Sequence, residues 1–365
     1  MANEDNNGAQ NPAGDEPQVT VLISVFNGES YLHEALNSLL AQDFTDFEVV
    51  IVNDGSTDRT ADILAEYAAD QRFRIITQER RGLIYSLNLG LQLARAELIA
   101  RLDADDIALP HRFTRQVEFM RAHPEVALLG SAITVINKQG KELKKVVYPA
   151  GPGPAKLAMS RLCAVSHPSV MMRRSLVLGV GGYRAAFLHA EDYDLWLRIS
   201  EHHPIDNLTE PLIRYRKHDK NVSRIFQQQQ ALSTVVARHC SKIRIAGFPD
   251  PMEGKETPVS LSDLSTLDLT EHEEALFHFE SLKDALNTRE HAFNPEFAKE
   301  SLTRAWELQS HLSRGRLVRR CLIPGSAAFR RAGYRGESRI WRGRAFRIDP
   351  FNAILGLIRL VLRGW

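Results

Sequence analysis

Residues 98–110 read Leu-Ile-Ala-Arg-Leu-Asp-Ala-Asp-Asp-Ile-Ala-Leu-Pro. The first five are mainly apolar and predict a buried strand, which is followed by three carboxylates, Asp103, Asp105 and Asp106. Pro110 is a residue at which a helix can begin. Carboxylates this close repel each other and resist burial, and a divalent cation would resolve the repulsion. Hard oxygen ligands at the carboxyl end of a strand suit Mg²⁺ or Mn²⁺, whereas the alternative is that the aspartates cap a turn and the following helix.

The sequence leading to this stretch alternates between strand-like and helix-like patterns. The periodicity predicts strand Val19–Val25, helix Tyr31–Leu40, strand Glu48–Val52, helix Thr60–Ala69, strand Phe73–Thr77, helix Tyr85–Ala94 and strand Leu98–Leu102. Short strands that alternate with helices predict βαβ units, and therefore an α/β fold with a mainly parallel sheet. Because ligands bind beyond the carboxyl ends of such strands, three polar clusters should meet at one edge: Phe26–Gly28, Asn53–Asp58 and Asp103–Asp106.

The pattern after Pro110 is less regular. It predicts strand Val126–Ile136, turn Asn137–Gly140, helix Ala155–Leu162, strand Ser169–Met172, helix Glu191–Ser200 and strand Leu212–Arg216. Trp196 shares an apolar helical surface with Leu195 and Ile199, so we expect it in the core rather than as an exposed aromatic platform for a ligand.

Composition excludes several classes of protein. With 365 residues, 44% apolar side chains and a net charge of +1, the chain is typical of globular proteins, and nucleic-acid binding is not expected. Its three cysteines lack metal-ligand or disulfide spacing, which fits a reducing cytoplasm. No secretory signal and no run of eighteen apolar residues is found. Neither a G-x-x-x-x-G-K-[ST] loop nor G-x-G-x-x-G follows the first strand, which argues against an NTPase or a nicotinamide enzyme.

Charge and polarity divide the chain into four expected regions. They are a disordered tail at 1–18, a main α/β domain at 19–224, a helical acidic extension at 225–313 and an arginine-rich segment with an amphipathic helix at 314–365.

Two opposite runs of charge lie in the C-terminal third. Glu253–Glu300 holds twelve acidic and four basic side chains, whereas Arg314–Arg347 holds eleven arginines and one acid. The amphipathic helix at Phe351–Trp365 follows. One interpretation is peripheral contact with anionic lipid at the inner face of the cell membrane, made through residues 314–365. The other is that this helix packs on protein or at an oligomer interface, with the arginines paired to the acidic run.

Five segments occur together in one characteristic order. They are V-T-V-L-I-S-V-F-N-G (19–28), V-V-I-V-N-D-G-S-T-D (49–58), L-N-L-G-L-Q-L-A (87–94), I-A-R-L-D-A-D-D (99–106) and A-E-D-Y-D-L-W-L-R (190–198). Together they resemble the family 2 glycosyltransferases of GT-A fold, over Val19–Ser223. The resemblance implies a Rossmann-like GT-A fold and transfer of a sugar from a nucleotide-sugar donor, usually of uridine, with inversion at the anomeric carbon.

The resemblance also implies a donor site. Asp54 is expected to accept a hydrogen bond from a uracil N–H, since a carboxylate only accepts, and the alternative is turn chemistry in Asn53-Asp54-Gly55. Arg101 lies within a strand, so its charge needs donor phosphate or a neighbouring aspartate. The expected donor-binding residues are Ser24, Phe26, Asn27, Asp54, Arg81, Gly82, Asn88, Arg101, Asp103 and Asp106. By contrast, we expect Asp58 to cap the next helix and Arg80 to be solvated.

The three aspartates resemble the DxD element of the family. The resemblance implies that Asp105 is the main metal ligand, that Asp103 binds ribose, metal or metal-bound water, and that Asp106 binds hydroxyls of the donor sugar. The ion, Mn²⁺ or Mg²⁺, would bridge the two phosphates. His218 is a further candidate ligand whose alternative is a surface position. Candidate diphosphate contacts nearby are Arg216 and Lys217.

Glu191-Asp192 is the second acidic pair. Inversion requires a group that takes the proton of the acceptor hydroxyl, and Asp192 matches the general base of the family. Glu191 is expected to orient Asp192 or to bind the acceptor. The alternative is that both acids only complement the dipole of a helix N-terminus. Candidate acceptor contacts are His167 and Ser169.

We therefore expect a cytoplasmic, metal-dependent, inverting glycosyltransferase that uses a UDP-sugar and builds a surface polysaccharide or lipid-linked glycan. One rival is a catalytically silent GT-A-like scaffold protein of an envelope-assembly complex, which the presence of Asp54, Asp105 and Asp192 disfavours. The other rival is a nucleotidyltransferase, which the lack of a basic, glycine-rich loop after the first strand disfavours.

Overall fold

The structure, a computed structural model, describes residues 16–218, 226–264, 266–270, 295–307 and 335–348, with positions 273, 322, 328, 329 and 353. Two compact units are formed. The first contains the residues up to Tyr183 and His202–Lys217, and the second contains Arg184–Glu201 and the residues from His218 onward. The disordered tail was predicted for residues 1–18, of which only 16–18 are described. The amphipathic helix was predicted for residues 351–365, of which only position 353 is described.

One mixed sheet organises the first unit. Its strands are β1 (Val19–Val25), β2 (Phe47–Asp54), β3 (Phe73–Gln78), β4 (Leu98–Arg101), β5 (Ile107–Ala108), β6 (Leu128–Asn137), β7 (Glu142–Val146), β8 (Met171–Arg173) and β9 (Ile205–Lys217). Their order is β3-β2-β1-β4-β8-β6-β9-β5, and β7 pairs with β6 outside this path. β3, β2, β1 and β4 are parallel, whereas β8 is antiparallel to β4 and β6. The α/β prediction is confirmed, and the sheet becomes mixed beyond β4.

Strand direction brings the polar strand ends to one edge of the sheet. Because β8 is antiparallel to both of its neighbours, β6 runs in the same direction as β4, and β9 is parallel to β6. The strand ends that share this edge are therefore Val25, Asp54, Gln78, Arg101, Asn137 and Lys217.

Helices flank the sheet of the first unit, and their bounds are α1 (Leu32–Leu40), α2 (Thr60–Tyr67), α3 (Leu83–Leu93), α4 (Arg112–Ala122), α5 (Pro152–Met159) and α6 (Arg174–Gly179). Helix α4 begins at Arg112, because the short strand β5 precedes it. Strand β9 is longer than predicted, since it already begins at Ile205. Polar Asp206 and Asn207 interrupt the apolar pattern there, but both are buried and hydrogen-bonded.

The close packing of α3 on β1 depends on Gly90. A Cβ atom at this position would lie 2.0 Å from Cδ1 of Leu22, which is fully buried in β1. Only glycine allows this approach, because real Cβ atoms do not come so near another carbon. The glycine in the L-N-L-G segment therefore fixes how α3 lies on the sheet.

Helices also build the second unit, and their bounds are α7 (Glu191–His202, which ends one residue into the first unit), α8 (Gln227–Ile245), α9 (Leu261–Leu264), α10 (Pro295–Glu307) and α11 (Arg335–Ile348). Between α10 and α11, Lys299 Nζ lies 3.9 Å from a carboxylate oxygen of Glu337. The Arg344 guanidinium lies over the ring of Trp306. None of the helices described is both long enough and apolar enough to cross a bilayer.

Candidate functional site

An acidic cluster, defined as Asp103, Asp105 and Asp106, follows the carboxyl end of β4. One carboxylate oxygen from each residue lies within 4.8 Å of the others. Asp103 forms an ion pair with Arg101, whose side chain is buried at the end of β4. The sequence predicted that the Arg101 charge pairs either with donor phosphate or with a neighbouring aspartate, and Asp103 is such an aspartate. Contact of Arg101 with donor phosphate stays a prediction.

Asp106 tests whether the acidic cluster fits a cation. Its side chain is buried; Oδ1 accepts a hydrogen bond from the Arg216 N–H at 2.7 Å, and Oδ2 has no hydrogen-bond partner among the described residues. Burial raises the pKa of the Asp106 carboxyl well above its usual value, and the charges of Asp105 and Asp103 raise it further. A buried acceptor with unmet capacity beside two more carboxylates is the donor set that Mg²⁺ or Mn²⁺ prefers. The residues present therefore fit the divalent cation that the sequence implied.

Arg216 holds the backbone of the acidic cluster. Its side chain is buried near the end of β9, and Nε donates to the carbonyl of Asp105 at 2.9 Å. The same guanidinium donates to Glu34 Oε2 at 2.7 Å and to the carbonyl of Lys138 at 3.3 Å. Arg216 thus binds protein groups, and the diphosphate contact predicted for it stays a prediction.

Asp54 is buried at the end of β2 and binds the loop before α3. Its Oδ1 accepts from Gln78 Nε2 at 2.8 Å and from the Arg81 N–H at 2.7 Å, and Oδ2 accepts from the Gly82 N–H at 2.8 Å. These partners lie 24 to 28 residues away, so the residue is not a local turn former. It is Asn53 that accepts from the Ser56 N–H in such a turn. The uracil contact predicted for Asp54 stays a prediction.

The ends of β1 and β2 are joined through Asn27. Its backbone lies in the left-handed region with φ of 52°, its N–H donates to Ser56 Oγ, and its Oδ1 accepts from the Thr57 N–H at 2.8 Å. Phe26 is exposed, and the Arg80 guanidinium lies 3.9 Å from its ring centroid. Arg80 therefore stacks on an aromatic ring rather than being only solvated. These contacts place Phe26 and Asn27 at the predicted edge, near Ser24 of β1.

Asp58 and Gly82 lie just before helices α2 and α3. Asp58 accepts from the Thr60 N–H at 3.0 Å, which confirms it as a cap of α2. Gly82 precedes α3 with φ of 91°, and the Arg81 guanidinium lies over the ring of Tyr85.

Asn88 binds a distant backbone segment. Its Nδ2 donates to the carbonyl of Tyr183 at 2.8 Å, and its Oδ1 accepts from the Tyr183 N–H at 2.9 Å. The Tyr183 hydroxyl in turn lies 2.9 Å from His167 Nε2. Burial lowers the pKa of the His167 imidazole well below its usual value, and the charge of Arg101 lowers it further. Asn88 therefore fixes the Tyr183 backbone to helix α3. The donor contact predicted for Asn88 and the acceptor contact predicted for His167 stay predictions.

Ser169 has no exposed surface for an acceptor. It is fully buried, its Oγ donates to the carbonyl of Ser166 at 2.8 Å, and it accepts from the Ser131 N–H at 3.1 Å. The hydroxyl thus holds the turn at residues 167–169 against β6, and the acceptor contact predicted for Ser169 stays a prediction.

The predicted catalytic acids begin α7 in the second unit. Glu191 is buried and Asp192 is partly exposed. Two residues before Glu191, His189 has the left-handed φ of 67°, which is uncommon for a residue with a side chain. Helix α8 binds this loop: Gln230 Nε2 donates to the His189 carbonyl at 2.9 Å, and the ring of Phe226 stacks on His189. Conformational strain beside a carboxylate pair is typical of functional sites.

A buried ionic network, defined as Arg184, Asp194, Arg198, Asp250 and Arg244, supports the same helix. Asp194 is fully buried and accepts from Arg184 and from Arg198 Nε at 3.0 Å. Asp250 binds Arg184 at 2.7 Å and Arg244 at 2.5 Å. Although burial favours its neutral form, the Met252 N–H and these two guanidinium groups lower the pKa of Asp250 to about 2. Trp196 on α7 is fully buried, as predicted for a core residue.

His218 follows β9 directly in the chain and begins the second unit's last segment. Its role as a metal ligand, and that of Lys217 as a diphosphate contact, stay predictions.

The residues that bind and position Asn88 and helix α7 were not predicted from the sequence. Tyr183, Arg184 and Asp250 had no motif, and their partners lie 10 to 95 residues away. The one usable signal was Asp194 and Arg198 within the E-D-Y-D-L-W-L-R segment, since acid and arginine four residues apart face each other on a helix.

Known proteins are similar to this chain in sequence and in fold. The family model described as Glycosyl transferase family 2 matches residues 20–177. The O-antigen biosynthesis glycosyltransferase WbnJ of Escherichia coli is 33% identical over 211 residues, which is 56% of this chain and 82% of the relative.

Two solved structures show the same fold. Residues 1–349 of S. aureus TarS, in complex with UDP-GlcNAc, match with a TM-score of 0.55 at 18% identity, over 89% of this chain and 90% of that one. The mannosyltransferase PcManGT from Pyrobaculum calidifontis, in complex with GDP-Man and Mn²⁺, matches with a TM-score of 0.50 at 19% identity, over 95% and 88%. With the sequence match over most of WbnJ, these findings confirm the resemblance, and the chain belongs to glycosyl transferase family 2.

Proposed function

We propose that this protein transfers a sugar from a nucleotide-sugar donor to a glycan or lipid-linked glycan acceptor, with inversion at the anomeric carbon. Membership of the family supports glycosyl transfer. The observation that carries the proposal is the acidic cluster, with its three carboxylates within 4.8 Å and with Oδ2 of Asp106, which has no hydrogen-bond partner in the described part of the chain.

The donor nucleotide binds at the polar edge of the first unit. Asp54 fixes the Arg81 and Gly82 amides, and Asn27 fixes the loop after β2, so the walls of a nucleotide site are held before the donor arrives. We propose a UDP-sugar as the donor. TarS was solved with UDP-GlcNAc and PcManGT with GDP-Man, so experiments should compare both bases.

The acidic cluster would hold a divalent cation, Mn²⁺ or Mg²⁺. When bound, such an ion neutralises charge on the diphosphate leaving group. Asp105 is the proposed main ligand, and Asp103 and Asp106 contribute further oxygen atoms. Arg216 fixes the Asp105 carbonyl and so limits movement of the cluster.

Asp192 is the proposed general base. Its carboxylate accepts the proton of the acceptor hydroxyl while that oxygen bonds to the anomeric carbon and the bond to the donor phosphate breaks. Glu191 orients this carboxylate. Positioned general-base catalysis contributes about 10²–10⁴-fold to a rate. We propose that the acceptor is part of a surface polysaccharide, because the relative WbnJ is described as a glycosyltransferase of O-antigen biosynthesis.

An Asp192→Asn variant tests this assignment. A panel of nucleotide sugars with Mn²⁺ is first screened for thermal stabilisation of the wild type, and the best donor is then used to measure release of nucleoside diphosphate and donor affinity. The variant should keep its donor affinity and lose about 10²–10⁴-fold in rate, because only proton transfer is removed. Asp62→Asn is the matched control, since Asp62 is an exposed acid in the first turn of α2.

Equal rates in Asp192→Asn and wild type would remove Asp192 from the role of base. A wild type that binds the donor but never turns it over with any acceptor would favour a catalytically silent scaffold instead.

A further inference from the structure

A basic surface, defined as residues 138–162, lies on the first unit and has no place in the proposed chemistry. It consists of the turn after β6, the strand β7, and helix α5 with the residues around it. The segment contains six cationic side chains and one acid, Glu142, which gives it a net charge of +5 in a chain of net charge +1. All six cations are exposed, namely Lys138, Lys141, Lys144, Lys145, Lys156 and Arg161.

Large apolar side chains stand exposed among these cations. Leu143 is 56% exposed, Val147 59%, Leu157 62% and Leu162 52%. In β7, Val146 packs against the core opposite Ile133, whereas Leu143 lies where the register with β6 shifts, between Lys144 opposite Val135 and Glu142 opposite Ile136. A charged surface that only faces water rarely carries four exposed large apolar side chains. A surface that enters a lipid interface combines cationic side chains with apolar ones.

The basic surface is held in place at both of its ends. Asn207 Nδ2 donates to the carbonyl of Pro149 at 2.9 Å and to that of Ala164 at 3.0 Å. One side chain therefore binds the backbone both before and after helix α5. The Gly151 N–H donates to Asp206 at 2.5 Å. On the other side, β7 pairs with β6 and carries exposed residues along most of its length. The surface is therefore formed before any partner binds.

The basic surface also adjoins the acidic cluster. The carbonyl of Lys138 accepts from Arg216, and the same guanidinium donates to the carbonyl of Asp105. A single side chain thus separates the first residue of the surface from the cluster.

From these observations we propose that the basic surface docks on a bilayer that contains anionic lipid. The cations attract the lipid headgroups, and Leu143, Val147, Leu157 and Leu162 enter the interface beside them. A soluble polyanion would use the charge but not the apolar side chains. Docking here would bring a lipid-linked acceptor close to the edge that carries the acidic cluster. The proposal does not depend on the proposed reaction, because binding can be measured without turnover.

The test is co-sedimentation of the full chain with vesicles of phosphatidylglycerol and phosphatidylcholine, and with vesicles of phosphatidylcholine alone. The wild type should bind the anionic vesicles, less tightly as salt rises. Lys144→Glu with Lys145→Glu should weaken binding at least about 30-fold, since each cation at an anionic surface is worth roughly fivefold. The control is Arg115→Glu with Arg121→Glu on α4, which makes the same charge change on another exposed surface and should leave binding close to wild type.

A second pair of variants tests the apolar half of the proposal. Leu143→Ser with Leu157→Ser should weaken vesicle binding and leave the thermal midpoint unchanged, since both residues are more than half exposed. Vesicle binding that is equal in the lysine variant and the wild type would overturn the proposal and assign attachment to another part of the chain, such as residues 314–365. Unchanged binding of the leucine variant, or no binding of the wild type to anionic vesicles, would also overturn it.

Discussion

Replacing Asp194 by Asn should destabilise the second unit strongly. The Asp194 carboxylate is fully buried and accepts hydrogen bonds from both Arg184 and Arg198, whose side chains are 17% and 7% exposed. An amide of the same size keeps one acceptor oxygen but removes the negative charge between two buried cations. Arg184 retains Asp250 as a partner, so part of the network survives the substitution. Breaking a buried ion pair from one side costs about 3–5 kcal/mol, and we expect the lower end of this range.

Urea unfolding followed by Trp fluorescence measures this loss, because Trp196 is buried on the same helix. A change of about 3 kcal/mol corresponds to a fall in Tm of roughly 6–12 °C for a unit of this size. The control is Glu118→Gln, which removes an exposed ion pair with Arg115 worth less than about 1 kcal/mol. If Asp194→Asn changes the free energy of unfolding no more than the control does, the buried network does not stabilise α7.

Two further substitutions test backbone features. His189→Ala should be less stable than His189→Gly by about 1 kcal/mol in urea unfolding, because φ of 67° strains alanine and not glycine; equal stability would show that the left-handed turn is not maintained. Gly90→Ala should cost about 1–3 kcal/mol, since its Cβ would lie 2.0 Å from a Leu22 methyl carbon. Gly336→Ala on α11 meets no atom of the described residues within 4 Å and should be neutral or stabilising; the opposite order would refute the close packing of α3 on β1.

Much of the fold followed from local pattern. The parallel half of the sheet was predictable because each strand is an apolar run that ends in polar residues, as at Asn53-Asp54 and at Asp103. The acidic cluster was predictable because its members are neighbours in the chain. The start of β9 was missed because Asp206 and Asn207 are polar yet buried, which pairing with β6 and bonds to residues 149–164 permit.

The support around the site depended on contacts between distant residues. Arg216 was interpreted as a diphosphate contact because it lies near His218, and the sequence did not show that its acceptors include the Asp105 carbonyl 111 residues earlier and Glu34 182 residues earlier. The bonds of Asn88 to Tyr183 span 95 residues. No periodicity or motif encodes such pairs, since each depends on how the helices and loops pack on the sheet.

Calorimetric titration tests whether the acidic cluster holds a cation that binds the donor diphosphate. UDP, with GDP in parallel, is titrated into the wild type, Asp105→Asn and Asp62→Asn, once with Mn²⁺ and once with EDTA in its place. We expect the better nucleotide to bind the wild type at least about tenfold more tightly with Mn²⁺, and we expect Asp105→Asn to lose this gain while Asp62→Asn keeps it. Nucleotide affinity that is the same with and without Mn²⁺ in the wild type, or a full Mn²⁺ gain in Asp105→Asn, would contradict a cation site at the acidic cluster.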